Sequence, residues 1–235
     1  MRTALAVALA LVAATEAGAT ATIFLDRCVG GCTYTPGADD SRVDHSSLVS
    51  ATSAIAAFEW GDGSWNGVVS CVRDAFAPFD ASVTDVDPGD APHFEVAVGG
   101  VSENVGLPSG IGNVAPFTCG VTWNGVGFVF AHSIGDDPPT TCWYAAQVVG
   151  SMLGLDHELL DGEVMSYMGA TFPKSFRDEV GPCGEGSARN CFCGGNAQNS
   201  YQFLLATLPE AGSLGASAAA LSALAGVRRR PARRA

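Results

Sequence analysis

A mixed α/β fold, with a small twisted mixed sheet, one long helix and a second, motif-bearing helix, all stapled by disulfides, follows from three observations. Short β-branched and aromatic runs alternate with segments of helical period. Eight cysteines follow an apolar N-terminal stretch. At 235 residues the chain is long enough for one domain with a sizeable core.

The elements read in order. "ATIFLD" is a strand, ended by the Cys- and Gly-rich loop "CVGGCTYTPGADD". "SSLVSATSAIAAF" is a helix candidate, and "SWNGVVSCVRDAFAPFD" is a stronger one. Its Trp65, Val68, Val69, Val72, Ala75 and Phe76 recur at three and four residues, and Pro78 marks the end. "ASVTDV" and "HFEVAV" are strands separated by "DPGDAP", and a buried strand is expected within "GVGFVFAHS". "DDPPTT" opens the last helix, with Thr140 or Thr141 expected as its N-cap.

Both ends read as processing segments, which divides the chain into residues 1–21, 22–208 and 209–235. Residues 1–21 combine Arg2, an apolar run from Ala4 to Ala14, and small residues at Ala19 and Ala21 that fit a signal-peptidase site. Residues 209–235 place Pro209 and Glu210 before a weakly apolar stretch and five arginines among the last eight residues. That stretch is shorter than the roughly 20 residues of a stable span, so it fits transient membrane association, with the arginines held on the cytoplasmic side. The order resembles a PEP-CTERM sorting signal, with Ala211 in place of the second proline. The resemblance implies export and sorting machinery as partners and a secreted or cell-envelope location.

Between those ends stand 22 acidic against six basic residues. A surface so acidic lacks the basic face that phosphate contacts need, which argues against nucleic acid as a partner. Acidic runs such as "TDVDPGD" have the composition of calcium loops, but also of solvated ones. The cysteines Cys28, Cys32, Cys71, Cys119, Cys142, Cys183, Cys191 and Cys193 are even in number and all lie in the central region. Behind an export signal they predict disulfides, with connectivity open. Neither "CVGGC" nor "CGEGSARNCFC" has the paired spacing of a zinc knot. Cys119 and Cys142 bracket the buried strand and the start of the last helix, and a bond between them would fix the two together. His93 and His132, at strand ends, read as structural histidines. No Gly-x-Ser-x-Gly elbow or lone cysteine nucleophile is present.

The segment "AAQVVGSMLGLDHELLDGEVMSY", residues 145–167, carries the chemistry. Zinc-protease helices place histidines at i and i+4 on one face, with a glutamate after the first as general base. The segment resembles the metzincin pattern HExxHxxGxxH followed by a Met-turn. Gly154 matches the glycine, His157 the third histidine and Met165 the turn methionine, while Tyr167 falls where some metzincins have a ligand or oxyanion stabiliser. Gln147 and Ser151 stand at the other two ligand positions and Val148 at the base position. A second resemblance is to a bacterial secreted family with a Gln-Glu-x-x-His helix and surroundings like "CVRDAFAPFD" and "CGGNAQNSY".

The resemblance implies a metzincin-like domain, but these side chains change its chemistry. Valine accepts no proton, and the loss of general-base work costs about 10²- to 10⁴-fold in rate. Glutamine and serine are weak zinc ligands, so no cofactor is expected, with zinc reserved for a site that functions despite its sequence. The expected function is that of an inactive pseudoprotease binding protein or polysaccharide in the old substrate cleft. The alternatives are an active metallopeptidase using His157 with Asp156, Glu158 or Asp161, and a structural surface protein. Restoring the pattern through Gln147→His, Val148→Glu and Ser151→His predicts zinc binding.

Overall fold

The computed structural model describes residues 21–169 and 171–208. The expected leader, apart from Ala21, and the expected sorting tail lie outside the described residues. The central sheet begins with β1 (Ala21–Asp26), and a long connection follows through β2 (Cys32–Pro36), β3 (His45–Ser46) and β4 (Ser53–Ile55). Helix α1 (Gly61–Phe76) leads to β5 (Ala81–Thr84) and β6 (Phe94–Val98). Then come β7 (Asn113–Val114), β8 (Val126–Val129), the single-turn α2 (Ala131–Ile134) and α3 (Pro138–Met152). A loop-rich segment with β9 (Gly181–Pro182) and β10 (Ala197–Gln198) ends in α4 (Ser200–Thr207).

The sheet order is β5-β1-β6-β8-β7; the first four strands run parallel and β7 pairs antiparallel with β8 at the edge. Alternation along the strands assigns the two faces. Ile23, Leu25, Phe94, Val96 and Val98 join the core shared with α1 and α3, whereas Ala97, Val126 and Phe128 join a second core with Tyr34 and Ile55. Helix α1 buries Trp65, Val68, Val69, Val72 and Phe76, the stripe its sequence period predicts.

Three local expectations are corrected. The segment "CVGGCTYTPGADD" is not all loop, since its Cys32–Pro36 forms β2 and pairs with β3 and β4. "SSLVSATSAIAAF" contains no helix; its Ser53–Ile55 forms β4 and pairs antiparallel with β2. Ser53 and Ile55 are buried and Ala54 is exposed, a period of two that lets this segment cover the second sheet face with Ile55 and Val49. Serine and threonine are weak helix formers, so packing decides the state of the segment. Helix α3 is capped by Asp137, not Thr140 or Thr141. The Asp137 carboxylate accepts from the Thr140 amide at 3.2 Å and hydroxyl at 2.7 Å, and Pro138 occupies the first helical position, where its fixed φ and missing N–H fit.

The cysteines form four disulfides: Cys28–Cys32, Cys71–Cys142, Cys119–Cys193 and Cys183–Cys191. The Cys119–Cys142 bond is therefore not formed. Cys142 opens α3 where α3 crosses α1, and its partner is Cys71 on α1. Cys119 instead joins the C-terminal segment. A fold with four disulfides belongs to an oxidising or extracellular setting. Among the described residues, no helix is long and apolar enough to cross a membrane.

Candidate functional site

Helix α3 ends in a turn whose bonds define a Schellman motif: the Leu155 amide donates to the Gly150 carbonyl and the Gly154 amide to that of Ser151, each at 3.0 Å. Gly154 takes φ +99°, which L side chains rarely adopt, and this reversal returns the chain toward the helix. Residues 155–157 consequently face the same cleft as the helix face carrying residues 147, 148 and 151. Gln147, Val148, Ser151, His157 and Tyr167 line one cavity of about 280 Å³.

Met165 is fully buried beneath this helix. A β-carbon added at Gly150 would lie 2.5 Å from the Met165 sulfur, so glycine there is what lets the turn approach. The turn is also tied to α3 by polar bonds. Trp143 Nε1 and Gln147 Nε2 donate to the Val164 carbonyl at 2.8 and 3.2 Å. Lys174 Nζ lies 4.0 Å from the Trp143 ring centroid and donates to the Met168 carbonyl at 3.0 Å.

Gln147 is only 1% exposed. Its carbonyl oxygen accepts from Asn113 Nδ2 on the edge strand at 2.9 Å, so both ends of the amide are engaged in holding β7 and the Met165 turn to α3. His157 Nδ1 lies 3.3 Å from Glu185 Oε1, and its Nε2 lies 3.4 Å from the Tyr167 hydroxyl. The Glu185 carboxylate is an acceptor for Nδ1, and the Tyr167 hydroxyl faces Nε2. Burial, with the neighbouring Tyr144 and Glu185, pushes the Tyr167 phenol up to about 12, which keeps it a neutral donor.

Of the three carboxylates expected to rebuild an active centre with His157, only Asp156 lines the cleft. Its oxygens accept from Arg189 Nη1 and Nη2 at 2.8 and 2.7 Å, and from the amides of His157 and Phe192. Burial pushes the Asp156 carboxyl up, but the guanidinium and the two amides outweigh it, leaving it below the usual carboxylate range. Glu158 is wholly buried, and Asp161 packs against Gly169. Glu185 reaches the site unforeseen, carried on the loop closed by Cys183–Cys191. Position 185 lies 28 residues from His157 and has no spacing motif to mark it.

Asp156, His157 and Glu185 bring one ligand-type atom each within 4.8 Å of one another. Arg189 already supplies the cation there, bridging Asp156 and Glu185 at 2.7 and 2.6 Å. A metal would have to displace it. Positions 157, 147 and 151 offer one imidazole, one engaged amide and one hydroxyl, a donor set that does not fit zinc.

Glu158 anchors the loop behind His157. It bonds to Ser200 on α4, while its Oε2 has no partner. Burial pushes its carboxyl up to about 8, opposed by Ser200 and reinforced by Glu163. Its folded value thus lies above the unfolded one, so between about pH 5 and pH 8 the native state holds a proton that the unfolded chain has lost. Glu158 should thus make stability fall with rising pH across that window by about 1 kcal/mol per unit, added to the like contribution of any other carboxyl raised by burial. Urea denaturation at several pH values measures the slope, and Glu158→Gln should reduce it by about that amount.

The cleft rim is closed covalently. Phe117 and Phe192 both line the cavity with ring centroids 6.1 Å apart, and Cys119–Cys193 joins the segments that carry them. Comparison with family models, curated proteins and solved structures returns no match, so the reading of function rests on this cleft.

Proposed function

We propose that the chain is an exported, catalytically inactive relative of metzincin-type zinc proteases that acts at the cell envelope by holding an extended protein segment in this cleft. The observation that carries the reading is the lining itself. Gln147, Ser151, His157 and Tyr167 share one cavity with Val148, which puts one imidazole at the three ligand positions and no carboxylate at the general-base position, while the carboxylates of Asp156 and Glu185 in the same cavity are held by Arg189. The exported location rests on the sequence of the two ends, and the four disulfides support it.

An extended peptide is favoured over a polysaccharide because β7, the edge strand of the sheet, forms one wall through Asn113 and Val114. An edge strand presents unpaired backbone groups, and strand addition satisfies them while side chains enter adjoining pockets. Phe117, Val114, Leu155 and Phe192 supply apolar contacts, and Asp156 and Glu185 keep that end acidic.

Panning the purified protein against an extended-peptide library and a set of envelope polysaccharides tests the proposal. Peptide binders are expected, and Ser151→Trp, which fills the cleft from a half-buried position, should weaken them about tenfold or more. Binding that survives Ser151→Trp unchanged would move the ligand elsewhere. Proteolysis by the wild-type protein that is abolished by chelator would overturn the inactive assignment.

A further inference from the structure

On the sheet face away from α1 and α3 lies a second cavity, of about 380 Å³, independent of the cleft. Asp26, Tyr34, Asp44, Asp87 and Glu95 line it. They come from five separate stretches: the end of β1, β2, the turn before β3, the 85–90 loop and β6.

Glu95 sits at its base, 2% exposed. Its Oε1 accepts from the Tyr34 hydroxyl at 2.8 Å, and its Oε2 is buried with no partner. Leaving such an oxygen unsatisfied is unfavourable, the more so when the group is charged. Tyr34 has one hydroxyl hydrogen, and the same phenol oxygen lies 3.4 Å from Asp26 Oδ2. The hydrogen spent on Glu95 is therefore lost to Asp26.

Compensating charge is short. Burial first, and then Asp26, Asp44 and Asp87, push the Glu95 carboxyl up to about 8. Arg42 is the sole lysine or arginine among the described lining residues, and its guanidinium is forked onto Asp40 at 2.7 and 2.8 Å. His45 and His93 stand near Asp44, and His93 is held through Nδ1 to the Ala91 carbonyl. Four carboxylates thus line one cavity in which a buried oxygen lacks its partner.

We propose that this cavity binds one calcium ion, with Glu95 at its base, Asp26 on its wall and Asp44 and Asp87 at its mouth. Hard oxygen donors suit calcium, which takes six to eight of them and tolerates irregular geometry. The nearby sulfurs of Cys28 and Cys32 are bonded to each other, so no thiolate draws the site toward zinc. The volume leaves room for waters to complete the coordination.

The test is calorimetric titration of the oxidised, chelator-stripped chain with calcium chloride, alongside thermal unfolding. One site per chain with Kd of about 10⁻⁴ to 10⁻³ M and a raised Tm is expected, with magnesium at least about tenfold weaker. Glu95→Gln should abolish binding. Asp87→Asn, at an exposed position where folding is not at stake, should weaken it about tenfold. The proposal is overturned by a wild-type chain with neither heat nor Tm shift at about 10 mM calcium, by magnesium binding as tightly, or by Asp87→Asn binding calcium as wild type does. Because none of these residues lines the α3 cleft, failure here leaves the peptide-binding proposal standing, and the reverse also holds.

Discussion

The double variant Gln147→His, Ser151→His is expected to bind zinc with micromolar affinity or better, about 8 kcal/mol of binding free energy, where the wild type retains none after dialysis. Positions 147 and 151 are one helical turn apart on α3, and His157 faces the same cavity across the Gly154 reversal. Three imidazoles around one point form a strong zinc set with a position left open. The change sacrifices the Gln147 bonds to Asn113 and Val164, so some native stability is lost in the metal-free form. Val148→Glu is left out because Val148 is 1% exposed and packs against Gly127, and an unpaired carboxylate there costs about 3 kcal/mol or more unless it turns into the cleft. Metal analysis after equilibrium dialysis reads the result, with circular dichroism as the folding control. A folded double variant that takes up no zinc would separate these positions from the metzincin ligand positions.

Removing the Cys71–Cys142 bond through Cys71→Ser, Cys142→Ser should cost about 4 kcal/mol, the largest loss among the four disulfides together with Cys119–Cys193. The two cysteines are 71 residues apart, so the cross-link excludes many unfolded conformations, and it pins the start of α3 to the middle of α1. The Cys28–Cys32 bond spans only four residues and should contribute about 2 kcal/mol by the same reasoning. Urea unfolding of the two double-serine variants compares them. A larger loss from the short loop would mean that native-state contacts, not chain entropy, set the value of these bonds.

The sequence made the helices and central strands legible wherever one period dominated. The stripe from Trp65 to Phe76 and the run at Val126–Val129 are examples, because each buries a face that a single element fixes. It failed at Ser53–Ile55, where the state is chosen by the sheet face that Ile55 covers and not by local propensity. The helix face with residues 147, 148 and 151 and the return at Gly154 were legible because a 3.6 period and a glycine are local signals. Glu185 and Arg189 were not, since a disulfide-closed loop carries them to His157 from far along the chain. The pairing of Cys142 was equally hidden, because it depends on how α1 crosses α3.

The Cys119–Cys193 clasp across the rim bears on the thermodynamics of recognition. With Phe117 and Phe192 carried on segments joined by the Cys119–Cys193 bond, a protein acting by the proposed peptide capture would surrender little freedom when its guest arrives. The ordering penalty falls almost wholly on the guest, at about 0.5 to 1.5 kcal/mol for each side chain immobilised. A stiff, proline-containing strand should then outcompete a glycine-rich one of equal contact area, and reduction of the clasp should erase much of that preference.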